Sequence, residues 1–313
     1  MISVQTNPSK QVSNNTRLAF TNSARTAWGR ILAEVCRTNK NVLLPAYIGI
    51  TDREGSGIFD PIESLDLAYD FYSLNQRLEI DYCSLELQMK SGKFRVMLLV
   101  HYFGIEQSNT KRVKQLCDTY SIILIEDCAH VAGLIDTNVT LGGYGDYAFY
   151  SLHKSLAVPT GGMLRCNNSE LPLPAIPSAE MCEPVVVSEL LFTDMEKVRS
   201  TRKKHYQRYL EQLKGVEGLT VMYEQIENIT PHSFPLVIHG GLREKLYFSL
   251  FDLNVPTIAL YYRLISNIDP DVYADSYSVS RSILNLPLHQ DLDDEQIDYI
   301  CTSVKQKLRE LRV

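Results

Sequence analysis

The stretch that decides the fold reads Ile122-Ile-Leu-Ile-Glu-Asp-Cys-Ala-His130 and, further on, Tyr147-Ala-Phe-Tyr-Ser-Leu-His-Lys154-Ser-Leu-Ala-Val-Pro-Thr-Gly-Gly162. Its first part is a fully apolar run closing on two acids, the pattern of a strand covered on both faces. Runs of this kind recur at 41–45, 65–70 and 95–101. Between them, Asp81–Lys90 carries an apolar stripe and Ser108–Thr119 places Val113, Leu116 and Cys117 on one helical face. Alternating strand and helix predict an α/β fold around a mostly parallel sheet with right-handed crossovers. Ligands of such sheets bind beyond the carboxyl ends of the strands. Asp127 follows its strand directly and is therefore a candidate site residue.

Working outward, Leu18–Ser23 reads as a turn opening into a helix over Ala24–Arg37, with Ser23 as N-cap. The proline-rich piece Leu171-Pro-Leu-Pro-Ala-Ile-Pro177 reads as a linker. Beyond it, Val186–Lys214 is amphipathic and reads as one bent helix. Strands are expected at Gly218–Tyr223 and Phe234–Ile238, and helices at Arg243–Leu253 and Asp293–Leu311. The expected organisation is a large domain over 1–185 and a smaller α+β domain over 186–313.

The chain has 313 residues, 45% of them hydrophobic, enough for an ordinary core without staples. A net charge of -6 argues against a general nucleic-acid or anionic-membrane surface. The local run Arg202-Lys203-Lys204 reads as a solvated helix face. Seven cysteines, an odd number and without Cys-x-x-Cys spacing, suit a reduced, cytoplasmic protein better than a disulfide or zinc framework. No signal-like N-terminus and no apolar run of the ~20 residues a span requires are present, so no membrane span is expected. The histidines form no metal-ligand pattern, and no metal is predicted.

Lys154 stands between a buried-strand pattern and a Gly-Gly turn that leads into another apolar segment. Confinement lowers an amine's pKa and favours its neutral, nucleophilic form. A confined lysine downstream of an acid at a strand end is the pair that pyridoxal phosphate requires: the amine holds the aldehyde, and the carboxylate keeps the pyridine nitrogen protonated. Read alone, Asp127 is equally a helix N-cap, and Lys154 a surface lysine. The start of the first helix, with Arg25 and Thr26, offers backbone N–H groups for a phosphate, and Ser151 adds a hydroxyl; an ordinary capped helix explains the first feature as well. His130 either enters the Asp127 pocket or is a core histidine. Tyr47 either presents an aromatic face to the cofactor or packs at a strand end.

Val100-His-Tyr-Phe-Gly104, Ile125-Glu-Asp-Cys-Ala-His-Val-Ala-Gly133, Gly145-Asp-Tyr-Ala-Phe-Tyr-Ser-Leu-His-Lys154 and Gly161-Gly-Met-Leu164 resemble, in order and spacing, the cofactor core of the DegT/DnrJ/EryC1/StrS aminotransferases. Leu286-Pro-Leu-His289 with Leu292-Asp-Asp-Glu-Gln-Ile297 resembles that family's C-terminal signature. The resemblance implies a fold-type-I pyridoxal-phosphate transferase, homodimeric, which aminates a keto sugar, usually nucleotide-linked, for surface-polysaccharide or glycoconjugate precursors, with glutamate as donor. It implies that Lys154 carries the cofactor, Asp127 pairs with its ring nitrogen, His130 neighbours its phenolic oxygen, and Ser151, Arg25 and Thr26 hold its phosphate.

Three departures stand out. The family's helical lead is nearly absent, its Asn-Tyr-Arg-Met segment has no counterpart between Pro174 and Glu196, and Gly49 falls near the position of the aromatic that stacks on the cofactor, which leaves Tyr47 as substitute. Ser23-Ala-Arg25 also replaces the more usual Ser-Gly-Thr. Two rival readings follow. One is a relative with different chemistry, such as the family's dehydratases, which carry histidine where this chain has Lys154; the other is a binding or regulatory subunit that has lost catalysis.

Overall fold

Short apolar strands flanked by capped helices build the frame that carries the site. The computed structural model describes residues 17–38, 40–132, 141–226 and 230–312. The strands β1 (Arg17–Thr21), β2 (Asn41–Pro45), β3 (Ala68–Tyr72), β4 (Val96–Val100), β5 (Ile123–Asp127), β6 (Tyr147–Ser151) and β7 (Gly162–Cys166) form one sheet in the order β1-β7-β6-β5-β4-β2-β3. Only β7 runs against its neighbours, so the sheet is mostly parallel as expected. β4, β5 and β6 are buried at every residue, which explains their apolar character up to the polar residues Glu126, Asp127 and Ser151 at their carboxyl ends.

Three of the flanking helices begin on the side chains that their sequences offer. Ser23 caps α1 (Ala24–Val35) by accepting from Thr26 N, Asp81 caps α3 (Tyr82–Met89), and Asn109 caps α4 (Thr110–Thr119). The short α2 (Asp60–Ser64) starts on a proline turn and pushes the third strand to 68–72, three residues beyond the expected start at Leu65.

The stretch Leu18–Ser23, expected as a turn, is mostly strand. β1 pairs antiparallel with β7, with Leu18 opposite Arg165 and Thr21 opposite Gly162. Its partner lies well over a hundred residues away (Arg17 against Cys166), so no local pattern announces it. The expected single bent helix is two, α5 (Pro184–Phe192) and α6 (Met195–Leu213), parted at Thr193–Asp194 where Asp194 accepts from Lys197 N and starts the second.

A second, three-stranded antiparallel sheet follows in the order β10-β9-β8, made of β8 (Leu219–Val221), β9 (Ser233–Ile238) and β10 (Ile283–Pro287). With α6, α7 (Arg243–Phe251) and α9 (Asp294–Arg312) it closes a core that runs from Tyr206 to Leu308. The last strand and α8 (Ala274–Ser282) were not expected from the sequence. Val186 and Leu190 on α5 pack instead with Tyr150 and Met163 of the large sheet and with Cys128 just beyond β5. Arg202 corrects the solvated-face reading of its run. It is 2% exposed, and its guanidinium donates to Gln290 Oε1 at 2.9 Å and to the Lys154 carbonyl at 3.0 Å.

Candidate active site

Five elements converge on one cavity of about 800 Å3. These are the ends of β5 and β6, the start of α1, the loop after β2, and the segment 258–262 from the second half of the chain. Asp127 ends β5 opposite Phe149 of β6, and Ser151 ends β6 on the same side as Phe149, because alternate residues of a strand share a face. A single 3-10 turn, Leu152–Lys154, then turns the lysine into the cavity. Gly162 lets β7 run hard against the start of α1. A Cβ there would fall 2.2 Å from the Ser23 carbonyl carbon, so only glycine brings the helix start and the lysine turn into one site.

Burial sets the charges. It pushes the Asp127 carboxyl up, against which the Ala129 N–H (2.8 Å), Lys154 and His101 hold it down. Lys154 is half-buried, and loss of water lowers its pKa, with Asp127 and Glu54 opposing that shift. Among the described residues the Lys154 amine has no hydrogen-bond partner, and Asp127 keeps Oδ2 free of protein donors. A cationic ring nitrogen and an aldehyde are what such a carboxylate and such an amine would take up. The residues present fit pyridoxal phosphate.

The structure brings Lys154, Asp127, Ser151 and Arg25 into the cavity lining. Three other candidates stand behind it. The Thr26 hydroxyl donates to Asn22 Oδ1 at 2.6 Å and contacts the Ser23 hydroxyl at 2.9 Å. Tyr47 is fully buried and donates to the Leu260 carbonyl at 2.9 Å. His130 accepts from the Phe103 N–H through Nδ1 at 3.2 Å, which leaves its proton on Nε2, and its ring stacks on His232 at 4.9 Å. Burial, with Lys154 and His232 nearby, lowers its pKa well below the ordinary value, so it is a neutral ring.

Arg25 is itself committed, donating to Asp60 at 2.8 Å and to the Glu54 carbonyl. Sequence reasoning missed Phe149, Tyr261, Glu54 and the contact of Arg202 with the Lys154 carbonyl. Phe149, two residues before Ser151 on one strand, was open to the period-two rule; the others come from distant segments and carry no local signal. One buried set, His101, Glu126 and Cys128, has metal-ligand atoms within 4.8 Å of one another. Glu126 there is taken up by His101 and the N–H groups of Gly142, Tyr144 and Gly145, while burial keeps the Cys128 thiol protonated.

A large mostly parallel sheet with lysine and aspartate beyond its strand ends, followed by a smaller α+β part, defines the fold-type-I class of pyridoxal-phosphate transferases. The chain belongs to the DegT/DnrJ/EryC1/StrS aminotransferase family, whose model matches residues 76–175 and 186–305. That family's cofactor is pyridoxal 5′-phosphate. The chain is 22% identical over 247 residues to the dTDP-4-amino-4,6-dideoxy-D-glucose transaminase of Shigella dysenteriae, covering 68% of this chain and 66% of that protein. It is 23% identical over 252 residues to the GDP-perosamine synthase of Vibrio cholerae, again 68% and 66%. It thus spans about two thirds of the length of these relatives. In fold it is similar to Helicobacter pylori PseC, an aminotransferase involved in the biosynthesis of pseudoaminic acid, with a TM-score of 0.75 at 16% identity over 94% of this chain and 87% of that one.

Proposed function

We propose that this chain is a pyridoxal-phosphate-dependent aminotransferase that moves an amino group, with glutamate as donor, onto a keto sugar carried by a nucleotide. The observation that carries the reading is the half-buried Lys154 amine, unpartnered among the described residues, in one cavity with a buried carboxylate at the strand ends. The relatives' names, two nucleotide-sugar enzymes and an aminotransferase involved in the biosynthesis of pseudoaminic acid, support the acceptor class. A role in surface-polysaccharide or glycoconjugate precursors follows from that class. Lysine at position 154, rather than histidine, favours amine transfer over the dehydratase chemistry.

Bound cofactor supplies an electron sink for the charge left when the donor's Cα loses its proton. With the cofactor bound, Lys154 Nζ would take that proton and hand it back, a general base and acid in turn. Its lowered pKa suits the first role, because the neutral amine accepts the proton. Asp127 would pair with the ring nitrogen and keep it protonated, since its Oδ2 is free of protein donors among the described residues. Arg202 donates to the Lys154 carbonyl and so fixes the backbone from which the amine swings. His130, neutral, presents a single N–H donor through Nε2.

The division into a cofactor-binding part (1–185) and a C-terminal part (186–313) belongs to this reading; the separate core from Tyr206 onward supports it, although α5 packs on the large sheet. A homodimer belongs to it as well. Met181, Val185, Leu191 and Phe192 are exposed within twelve residues, and such apolar surface favours association. Among the described residues no helix is long and apolar enough to cross a membrane, and the free cysteines agree with a reducing cytoplasm.

The test is to load the protein with pyridoxal phosphate, ask which amino acids convert the cofactor to its amine form, and then offer keto-sugar acceptors. Glutamate should convert it and a nucleotide-linked keto sugar should regenerate it; no conversion by any amino acid would leave the binding-subunit reading standing. Sedimentation at several concentrations should show a dimer. A monomer with undiminished specific activity on dilution would contradict the homodimer.

A further inference from the structure

Gly49 sits in the loop after β2 without a positive φ, so its backbone does not require glycine. Its surroundings do. A Cβ on Gly49 would lie 2.2, 2.6 and 2.8 Å from Cδ1, Cγ and Cβ of Tyr261. The ring of Tyr261 thus occupies the space into which a side chain at position 49 would grow. It arrives there from a segment more than two hundred residues downstream, and the fold holds it firmly. The Ile50 N–H donates to the Arg263 carbonyl at 3.1 Å and the Ile265 N–H to the Ile48 carbonyl at 3.0 Å, so the two segments are laced together on both sides of Gly49.

Tyr261 also stands at a φ of +56°, a left-handed backbone that bulky residues avoid. Strained positions of this kind persist where surrounding contacts over-determine them, and they cluster at functional sites. Here the Ser280 hydroxyl donates to the Tyr261 carbonyl at 2.7 Å, and Tyr47 donates to the carbonyl of Leu260 beside it. The ring leans on Tyr47 at 5.4 Å and Tyr102 at 6.2 Å and lines the cavity that also holds Asp127 and Lys154.

We propose that Tyr261 is the aromatic surface on which the cofactor's pyridine ring packs, delivered from the C-terminal half of the chain into the slot that Gly49 leaves open. The proposal rests on the cofactor reading above. It makes Tyr47 a positioning residue, which supports the ring and its loop without touching the cofactor. It also makes cofactor binding a contact between the two halves of the chain, because Lys154 and Asp127 come from one and Tyr261 from the other.

The test uses the apoprotein titrated with pyridoxal phosphate. Trp28, the sole tryptophan, stacks on Phe149 at 5.5 Å, and Phe149 lines the cavity, so quenching of Trp28 fluorescence reports occupancy without turnover. Tyr261→Phe should keep the dissociation constant within about twofold, whereas Tyr261→Leu, which keeps apolar bulk but removes the ring, should weaken it on the order of threefold to tenfold. Gly49→Phe combined with Tyr261→Gly, which also removes the Cβ that would lie 2.8 Å from a side chain at position 49, should recover most of the affinity lost by Tyr261→Gly alone. Equal affinity for Tyr261→Leu and the unaltered protein would overturn the proposal. Hydrogen exchange of residues 258–265 in the unaltered protein should slow when cofactor is added, and unchanged exchange would overturn it without any variant. Borohydride labelling separates the two readings: a pyridoxyl group on Lys154 of the unaltered protein upholds the cofactor reading whatever Tyr261 does.

Discussion

At the floor of the cavity Asp127, Ser151 and Lys154 stand on strand ends and one tight turn, held from behind by a sheet whose central strands are wholly buried, whereas at the rim Arg53 and Glu54 stand exposed on a loop and Arg25 on a helix start. The floor's groups are shifted by loss of water, the carboxyl upward and the amine downward. On the rim, Arg25 meets Asp60 in a pair whose side chains are 41% and 36% exposed. Charge in the floor is expensive to place and so chemically useful. Charge on the rim is screened, and its pairs are worth little.

The largest expected effect that tests this contrast is at Lys154. Lys154→Ala should still bind pyridoxal phosphate noncovalently but lose transamination by roughly 10²–10⁴-fold, the range of a lost general base; peptide mapping after borohydride should find no pyridoxyl group in the variant. A label on another lysine of the unaltered protein would sink the assignment. Asp127→Asn comes next, since it keeps the shape and removes the charge. Half-reaction rates with the amino donor should fall by more than about tenfold, a barrier of ~1.4 kcal/mol, and a smaller drop in stopped-flow absorbance would remove Asp127 from the electronic role.

The pH dependence sharpens the comparison further. Because burial lowers the Lys154 pKa, the rate at which apoprotein captures pyridoxal phosphate should rise with pH and level off below the ~10.4 of free lysine. The Asp127 charge raises the Lys154 pKa, so Asp127→Asn should move that midpoint to lower pH; movement the other way would contradict the pairing. The sign for stability agrees. The native chain holds the Lys154 proton less tightly than the unfolded one, so this group's contribution grows as pH rises from the folded pKa to the unfolded one.

The smallest effect belongs to the rim. Arg25→Ala should change stability by no more than about 1 kcal/mol and leave cofactor affinity nearly unaltered, because the guanidinium is already spent on Asp60 and Glu54. If denaturation and cofactor titration instead showed a loss as large as that of Asp127→Asn, the distinction between floor and rim would fail, and Arg25 would be a phosphate ligand in its own right.

The sequence by itself determined the alternation of buried strands and capped helices, and with it the placement of Asp127 at a strand end and of Lys154 in a turn between buried segments. Those signals are local: apolar runs, Ser23, Asp81 and Asn109 at helix starts, and Gly161-Gly162 before the next strand. The tertiary structure alone decided that Leu18–Thr21 is a strand, since its partner β7 is remote in the chain. It also decided that Arg202 lies buried against Lys154 and that Tyr261 fills the slot beside Gly49. Each of these depends on two segments far apart in the chain meeting at one point, and hydrophobic period and capping chemistry reach only a few residues either way.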